Sequence, residues 1–243
     1  MRARQEYHMG DGGRSLKLSI LHSNAAVGTQ ILLTADHDSI LFDVGDGTLR
    51  DLVDRTFRFD TLRAIFLTHE HFDHISGLYS LVNFLTLLGR KEILRIMTPR
   101  PCSRIRAFLG PPLMYYSPQF LISILELSGG EEIQIGSCRV RTFEVSHAAT
   151  NSLGYSILDA CGHKIVIGGD TRICPSLERE VAGADIAVLE STYNDEGSTD
   201  AHESGHMTKG EARAIGRKAR RAVLVHTLPK KYFDEINRSC RNA

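Results

Sequence analysis

The chain has 243 residues, of which 42% are hydrophobic and 24% are charged, a composition typical of a globular protein with a sizeable core. Lysine plus arginine and aspartate plus glutamate both number 29, so the net charge does not indicate a nucleic-acid-binding polycation. No apolar run reaches the roughly 20 residues that a membrane-spanning helix needs, and the five scattered cysteines contain no C-x-x-C pair. The composition therefore predicts a cytoplasmic protein without a membrane partner, a disulfide framework or a cysteine-based zinc site.

The predicted elements alternate between strands and helices. Residues 1–15 are polar and rich in glycine and arginine, so we expect a loose leader followed by a single domain over residues 16–243. Short apolar runs predict strands over residues 16–21, 30–34, 40–42, 64–67, 93–97, 139–145, 155–158, 164–167, 185–189 and 222–225. Helical spacing predicts helices over residues 48–57, 75–88, 118–127, 175–181 and 209–219. The segment 99–128 is expected to be an insertion or lid, and the whole pattern predicts packed layers of sheet and helix.

Several of the predicted strands end in a residue that can bind a metal ion or a proton. The six residues at these strand ends are Asp43, His69, His147, Asp170, Glu190 and His226. One such ending is common after any strand, but six of them indicate that polar groups converge at one edge of a sheet scaffold. This inference requires that the strands run in compatible directions.

The densest cluster of candidate ligands is the run His69-Glu70-His71-Phe72-Asp73-His74. Just past a strand the chain is extended, so His69 and His71 can project the same way and chelate one ion. Asp73 and His74 stand at the start of a predicted helix, where the turn directs them toward a second ion. Three imidazoles and a carboxylate suit zinc, iron or manganese. The alternative is a polar loop with solvated histidines, which the density of ligands disfavours.

This run resembles the H-x-H-x-D-H signature of the metallo-β-lactamase superfamily, and the resemblance extends over residues 16–228. It implies an α+β fold, a four-layer αβ/βα sandwich with the site at one edge. It also implies a ligand set: His69, His71 and His147 for one metal ion, Asp73, His74 and His226 for the other, and Asp170 as the bridge between them. Asp43 would brace the signature loop from behind the ligands.

The C-terminal half resembles the ribonuclease Z branch of that superfamily. Glu190-Ser191-Thr192-Tyr193 is similar to its E-[AS]-T-[FY] segment, and Ala201 with His206-Met207-Thr208 is similar to its A-x(4)-H-[SM]-T segment. The resemblance implies that His206, polarised by Glu190, protonates the leaving oxygen. A capping box begins a helix at Thr208, so we also expect His206 beside a helix N-terminus that favours phosphate. The alternative is that both residues are surface polar groups.

The predicted function is that of a metal-dependent hydrolase, a two-zinc phosphodiesterase or ribonuclease Z-like endonuclease that uses a metal-bridged hydroxide. Two cations that share Asp170 would lower the pKa of a bridging water, and Asp73 would orient or deprotonate that water. A phosphodiester suits this site because its alkoxide leaving group needs a proton. RNA is one candidate substrate, with Zn²⁺, Mn²⁺ or Fe as the metal. A homodimer is one candidate assembly, because ribonuclease Z-like proteins are often dimers.

Two features of ribonuclease Z are missing from the sequence. A Gly-Pro-rich arm that grips tRNA is commonly inserted between the counterparts of His147 and Asp170, which here stand only 23 positions apart. The basic P-x-K-x-R-N loop is replaced by residues 24–29. Three alternatives therefore stay open: a small-molecule hydrolase acting on a cyclic phosphodiester, thioester or lactone, an iron-containing redox member, and a binding protein that keeps the fold without turnover.

Overall fold

The computed structural model describes residues 5–10, 15–110, 115–148 and 151–228, and these residues form two β-sheets. The first sheet contains β1 (Gln5–Met9), β2 (Leu16–Asn24), β3 (Gly28–Ala35), β4 (Asp38–Phe42), β5 (Leu62–Phe66), β6 (Leu94–Pro99) and β7 (Ile122–Leu127), in that spatial order. The second sheet contains β8 (Glu132–Ile135), β9 (Cys138–Glu144), β10 (Leu153–Leu158), β11 (Lys164–Ile167), β12 (Ile186–Glu190) and β13 (Arg221–Val225), ordered from β13 to β8.

The described residues also form seven α-helices, six of which pack on the outer faces of the sheets. They are α1 (Thr48–Val53), α2 (Phe72–Ile75), α3 (Leu78–Leu87), α4 (Ser103–Phe108), α5 (Pro175–Val181), α6 (Ser198–Ser204) and α7 (Lys209–Gly216). One hydrophobic cluster fills the space between the two sheets, a second joins the first sheet to α1–α4, and a third joins the second sheet to α5 and α7. This arrangement of four layers confirms the predicted αβ/βα sandwich.

Because side chains alternate along a strand, one strand contributes residues to the hydrophobic clusters on both faces of its sheet. In β5, Ala64 and Phe66 face the cluster between the sheets, whereas Ile65 faces the cluster under the helices. Because successive side chains of a strand point to opposite faces, a strand covered on both sides must be apolar throughout. The continuous apolar runs of the sequence therefore belong to strands buried on both faces.

Strand direction brings the polar strand ends to one edge. Strands β4 to β7 pair in parallel, as do β11 to β13, so within each set the carboxyl ends share an edge. Strand β9 is antiparallel to β10, and β10 is antiparallel to β11, so β9 also ends at the edge where β11 ends. A bridge between Asn24 and Thr227 joins the two sheets. The compatible directions that the sequence argument required are therefore present.

The structure differs from the sequence prediction in several elements. The predicted helix over residues 118–127 is wrong, because this segment contains strand β7, which pairs in parallel with β6. Its β-branched Ile122 and Ile124 suit a pleated edge, and pairing with a neighbouring strand outweighs the helical spacing. The predicted leader contains β1, which pairs with β2. The predicted insertion or lid contains α4 and β7, whereas residues 111–114 lie outside the described part of the chain.

Tyr155 connects the second sheet to the end of β5. Its ring is fully buried against Phe42 and Phe66, and its hydroxyl donates to the carbonyl oxygen of Leu67 at 2.5 Å. Burial holds the pKa of Tyr155 well above its usual value, so the hydroxyl keeps its proton. The bond therefore fixes the backbone just before the His69 run.

We expect Tyr155→Phe to lower the free energy of unfolding by about 1–3 kcal/mol, because it leaves a buried carbonyl without a partner. Urea denaturation of the two proteins measures this difference. Tyr79→Phe is the matched control, since the Tyr79 hydroxyl forms no hydrogen bond within the described residues and its ring contacts Phe108. Equal stability of Tyr155→Phe and the unaltered chain would contradict the bracing role.

Candidate metal centre

The carboxyl ends of the strands and the loops after them bring the predicted site residues together. His69, His71, Asp73 and His74 follow β5, and Asp43 follows β4. The second sheet contributes His147 after β9, Asp170 after β11, Glu190 at the end of β12 and His226 after β13, while His206 precedes α7. Groups of three ligand atoms lying within 4.8 Å of one another include nine of these ten residues, and Asp43 lies behind them. All the predicted site residues therefore belong to one cluster.

The first group of ligand atoms is made of three imidazoles. His69 Nε2 lies 3.0 Å from His71 Nδ1, and His147 Nε2 lies 3.2 Å from the same atom. His71 is the partly exposed member, whereas His69 and His147 are buried. The three nitrogens face a common point and can hold one metal ion.

The second group consists of Asp73, His74 and His226. His226 Nε2 lies 3.2 Å from Asp73 Oδ2 and 3.4 Å from His74 Nε2. Asp170 Oδ2 lies 3.3 Å from the Nε2 atoms of both His74 and His226, and 3.8 Å from His69 Nε2. Asp170 therefore contacts members of both groups, which is the position of a shared ligand.

The spacing of these atoms fits divalent metal ions. Nitrogen ligands about 2.0–2.1 Å from a tetrahedral zinc ion lie roughly 3.3–3.4 Å apart. The observed nitrogen separations of 3.0, 3.2 and 3.4 Å are close to that edge length. Asp170 Oδ1 is buried and has no hydrogen-bond partner among the described residues. A buried carboxylate oxygen is costly unless it is paired or binds a metal, so the donor set fits a metal centre.

Hydrogen bonds at the far ring nitrogen orient two of the imidazoles of the His69 run. Asp43 Oδ2 accepts a hydrogen bond from His74 Nδ1 at 2.8 Å and another from the Thr68 hydroxyl at 2.9 Å. Because Thr68 gives its only hydroxyl proton to Asp43, its oxygen can accept from His69 Nδ1 at 3.0 Å. Both imidazoles therefore turn Nε2 toward the centre, and Nε2 is the nitrogen that can bind a metal ion.

The second sheet orients its two ligands in the same way. His147 Nδ1 donates to the carbonyl oxygen of Gly205 at 3.0 Å. Thr192 donates its hydroxyl proton to Glu190 Oε2 at 2.7 Å, so its oxygen accepts from His226 Nδ1 at 3.0 Å. Each ring again presents Nε2 to the centre, and the tautomers follow from the acceptors around them.

Backbone strain is concentrated at this site. Asp43 and His226 adopt φ values of 57° and 54°, in the left-handed region that L-residues rarely occupy. The surrounding hydrogen bonds hold both conformations: Asp43 Oδ1 accepts from Thr68 N at 2.8 Å, and His226 N donates to the Ser23 hydroxyl at 2.9 Å. Such strained residues persist where the surrounding structure fixes them, and they are enriched at functional sites.

The electrostatic field of the cluster favours cations. Burial, and after it the charge of His74, holds the pKa of His69 well below its usual value, and burial lowers the pKa of His147 to about 4. Burial opposes ionisation of Asp170, but the charges of His226 and His74 outweigh it and hold its pKa well below the usual value. The field thus favours neutral His69 and His147 and an ionised Asp170, the protonation states that metal binding requires. Burial would lower the pKa of His74, but Asp170 and Asp43 outweigh it and raise that pKa well above its usual value, so metal binding at His74 has to displace a proton.

Glu190 and His206 form a hydrogen-bonded pair next to the centre. Glu190 Oε1 accepts from His206 Nδ1 at 2.8 Å and from the Thr171 backbone N–H at 3.0 Å. Burial alone would lower the pKa of His206, but the Glu190 carboxylate outweighs it and raises that pKa to about 9. His206 is therefore a protonated imidazole near neutral pH and can donate a proton through Nε2.

The prediction that the N-terminus of α7 favours phosphate is wrong. The first four backbone N–H groups of α7 donate to groups of the chain itself, namely Tyr193 O, Asp195 Oδ1, Thr208 Oγ1 and Thr208 O. The capping box is present as predicted, but Asp195 adds a carboxylate where the phosphate was expected. Because an anion already caps this helix, the macrodipole is satisfied and a phosphate would meet like charge.

Sequence reasoning missed the groups that orient the ligands. Thr68, Thr192 and the carbonyl of Gly205 accept the far-nitrogen hydrogen bonds, and the N–H of Ala26 donates to Asp73 Oδ2 at 2.9 Å. Thr68 directly precedes His69 and Thr192 follows Glu190 by two positions, and this proximity to predicted site residues is a weak signal. No local pattern identifies a backbone carbonyl or N–H from a distant loop.

Comparisons with known proteins agree with this geometry. A family model described as the beta-lactamase superfamily domain matches residues 39–227. The chain is 31% identical to ribonuclease Z of Gemmatimonas aurantiaca, over 81% of this chain and 78% of that protein. It is 29% identical to ribonuclease Z of Myxococcus xanthus, over 87% of this chain and 86% of that protein. The chain belongs to the metallo-β-lactamase superfamily, in its ribonuclease Z branch.

Solved structures share the fold of this ribonuclease Z-like chain. Human tRNase Z, short form, superposes with a TM-score of 0.76 over 88% of this chain and 93% of that one, at 23% identity. A diphosphatase of the PhnP family superposes with a TM-score of 0.69 over 90% of each chain, at 17% identity. The alignment with the Gemmatimonas protein is 249 positions long, more than the aligned part of this chain, so that relative has residues with no counterpart here.

None of the helices in the described residues is long and apolar enough to cross a membrane.

We expect Asp43→Asn to weaken metal binding of this ribonuclease Z-like chain by about 10–100-fold. Asp43 accepts three hydrogen bonds that orient Thr68 and His74, and an amide supplies only one accepting atom for them. Competition with a chromophoric chelator measures the affinity. Asp46→Asn, an exposed aspartate of the same loop, should keep the affinity of the unaltered chain. Equal affinity in Asp43→Asn and Asp46→Asn would show that Asp43 does not brace the ligands.

Proposed function

We propose that the chain is a two-zinc phosphodiesterase of ribonuclease Z type that cleaves RNA. The observation that carries the proposal is the combination of two ligand groups sharing Asp170 with a proton-donating pair, Glu190 and His206, beside them. A centre with two cations and a separate acid suits a substrate with a charged phosphate and a poor leaving group.

Each residue of the site has a proposed role. His69, His71 and His147 would hold one zinc ion, Asp73, His74 and His226 the other, and Asp170 would contact both. Bound zinc supplies hydroxide near neutral pH and neutralises charge on the phosphoryl group. Burial raises the pKa of Asp73, but the hydrogen bond to His226 together with the charges of His74 and His226 outweighs it and lowers that pKa to about 2. Asp73 therefore stays ionised and can orient a water molecule. His206, held protonated by Glu190, would give its proton to the leaving oxygen.

The phosphodiester is favoured over an amide by the position of the acid. His206 lies against both ligand groups: its ring centroid is 4.7 Å from that of His147 and 5.7 Å from that of His226. A ribose alkoxide released beside both groups needs a proton, and His206 can supply it there. Zinc is proposed over manganese because imidazoles outnumber carboxylates among the donors, and imidazole suits zinc better than manganese.

A substrate panel tests the proposed function. The metal-loaded chain is incubated with bis-p-nitrophenyl phosphate, a precursor tRNA and an acyl thioester, and products are followed by absorbance and gel electrophoresis. We expect hydrolysis of both phosphodiesters and no cleavage of the thioester. Absence of phosphodiester cleavage with metal loaded would refute the proposal. Elemental analysis of protein purified without added metal then distinguishes zinc from iron and manganese.

The second candidate function is hydrolysis of a small phosphodiester, and one observation favours it. Between His147 and Asp170 the described residues contain only the hairpin of β10 and β11, so no arm of ribonuclease Z type is present there. Cleavage of a cyclic dinucleotide or bis-p-nitrophenyl phosphate without cleavage of any RNA would select this function. The homodimer, the cytoplasmic location and the single domain over residues 16–243 stay predictions, and light scattering tests the first.

A further inference from the structure

Phe72 is an exposed aromatic side chain inside the ligand run. It stands between His71 and Asp73, yet 62% of its surface is accessible to solvent. Its backbone is fixed as the first residue of α2, where its carbonyl oxygen accepts from Ser76 N at 2.8 Å. An ordered aromatic ring that is left open to water next to a site is typical of a contact surface for a ligand.

Two partly exposed histidines mark the opening of the metal centre, and one of them directly precedes Phe72. Among the histidines of the cluster, His71 and His206 are partly exposed, whereas the other four are buried. A substrate must therefore approach past these two rings. Consecutive Cα atoms are about 3.8 Å apart, so the exposed Phe72 side chain begins at the rim that His71 forms.

The surroundings of Phe72 combine apolar surface with positive charge. Val27, 42% exposed, follows Ala26, whose N–H donates to Asp73 Oδ2. Glu70 Oε1 accepts from the N–H of Ile105 at 3.1 Å, which brings the first turn of α4, with Arg104, next to the ligand run. Arg104 is exposed and forms no ion pair with the residues that the structure describes. An exposed aromatic ring can stack on a nucleic-acid base, and a free cation can bind the phosphate next to that base.

We propose that Phe72 stacks on an unpaired base next to the scissile phosphate, with Arg104 against the adjoining backbone. This inference rests on the phosphodiesterase function proposed above and names its substrate class, single-stranded RNA or an unpaired RNA end. A base inside a duplex is stacked on both neighbours and has no free face for Phe72. Without an arm between His147 and Asp170, recognition of this kind has to come from the rim of the site.

Binding to two labelled oligonucleotides tests the stacking role. One is an adenosine hexamer, and the other has the same sugar–phosphate backbone without bases; both carry phosphorothioate linkages, so that they are cleaved slowly. Fluorescence anisotropy with the metal-loaded full chain measures the affinity. We expect Phe72→Ala to weaken binding of the adenosine hexamer about tenfold or more and to change binding of the abasic hexamer less than twofold. Phe72→Trp should restore the preference for bases.

The control variant is Leu121→Ala. Leu121 is also 62% exposed, but it precedes β7 and therefore lies at the opposite edge of the sheet. It should bind both hexamers like the unaltered chain, and metal content should be unchanged in all variants. An equal loss for both hexamers in Phe72→Ala, or an equal loss in Leu121→Ala, would overturn the stacking role. Hydrolysis of bis-p-nitrophenyl phosphate without any binding of RNA would overturn it too, while leaving the phosphodiesterase function standing.

Discussion

Asp170→Asn is expected to reduce phosphodiester cleavage about a thousandfold or more and to lower the metal content below two ions per chain. Asp170 Oδ2 is the atom within 3.8 Å of ligand nitrogens from both groups, and Oδ1 is buried without another partner among the described residues. An amide removes the negative charge that would hold two cations close together, and each cation is worth several kcal/mol of charge stabilisation at the phosphoryl group.

The measurement is elemental analysis after gel filtration, combined with cleavage of bis-p-nitrophenyl phosphate. Asp60→Asn is the control, since Asp60 is an exposed aspartate paired with Arg58 away from the site. Thermal unfolding in excess chelator separates loss of metal from loss of fold: Asp170→Asn should still unfold cooperatively, at a lower temperature than the unaltered chain because the pairing of Asp170 with His74 and His226 is lost. Two metal ions per chain in Asp170→Asn would show that the carboxylate is not shared.

The candidate site was predictable because its signals are local. His69, His71, Asp73 and His74 stand within six residues, and a metal ion needs several ligands within a few ångströms. The more distant residues His147, Asp170 and His226 each follow an apolar strand, and strands of one direction end at one edge. A short chelating run and a repeated strand-end pattern are therefore enough to predict which side chains meet.

The elements that the sequence predicted wrongly depend on contacts with distant parts of the chain. Segment 118–127 has helical apolar spacing, but β6 offers a free edge with which it pairs as a parallel strand. Strand β1 is short and mostly polar, and its alternating Tyr7 and Met9, which pack against the core between the sheets, are too few to predict its pairing with β2. Asp195 reaches the α7 N-terminus from a loop fifteen positions earlier, so the capping box alone could not show that this end was already satisfied. Local periodicity carries no information on such partners.

The same limit applies to the orientation of the ligands. The Nε2 atom of each buried ligand histidine faces the centre because an acceptor engages its Nδ1, and two of these acceptors, Thr68 and Thr192, are themselves directed by carboxylates. The identity of a ligand is a property of the sequence, whereas its tautomer depends on the folded surroundings. A chain with the same ligands and a different Thr68 or Thr192 would keep the signature but hold metal less well.

His206→Ala is expected to slow RNA cleavage by about 10²–10⁴-fold while the metal content stays the same. The Nδ1 atom of His206 is bound to Glu190, and the proton on Nε2 can reach a leaving oxygen beside the centre. A ribose alkoxide needs that proton, whereas p-nitrophenolate is stable without it. The loss should therefore be much smaller for bis-p-nitrophenyl phosphate than for RNA, a contrast that a purely structural role of His206 would not produce.

Single-turnover cleavage of RNA and of bis-p-nitrophenyl phosphate by the same preparations measures this contrast. His202→Ala is the control, because His202 is an exposed histidine of the preceding helix that pairs with Glu211 at 2.7 Å. Glu190→Gln should show a smaller loss in the same direction, since an amide oxygen can still orient His206 Nδ1 but no longer favours the charged imidazole. If His206→Ala lost metal instead, or slowed both substrates equally, His206 would be a ligand or a structural residue rather than the acid. Because Glu190 also accepts hydrogen bonds from Thr171 and Thr192, the Glu190→Gln comparison is made at equal metal content, so that only proton transfer differs.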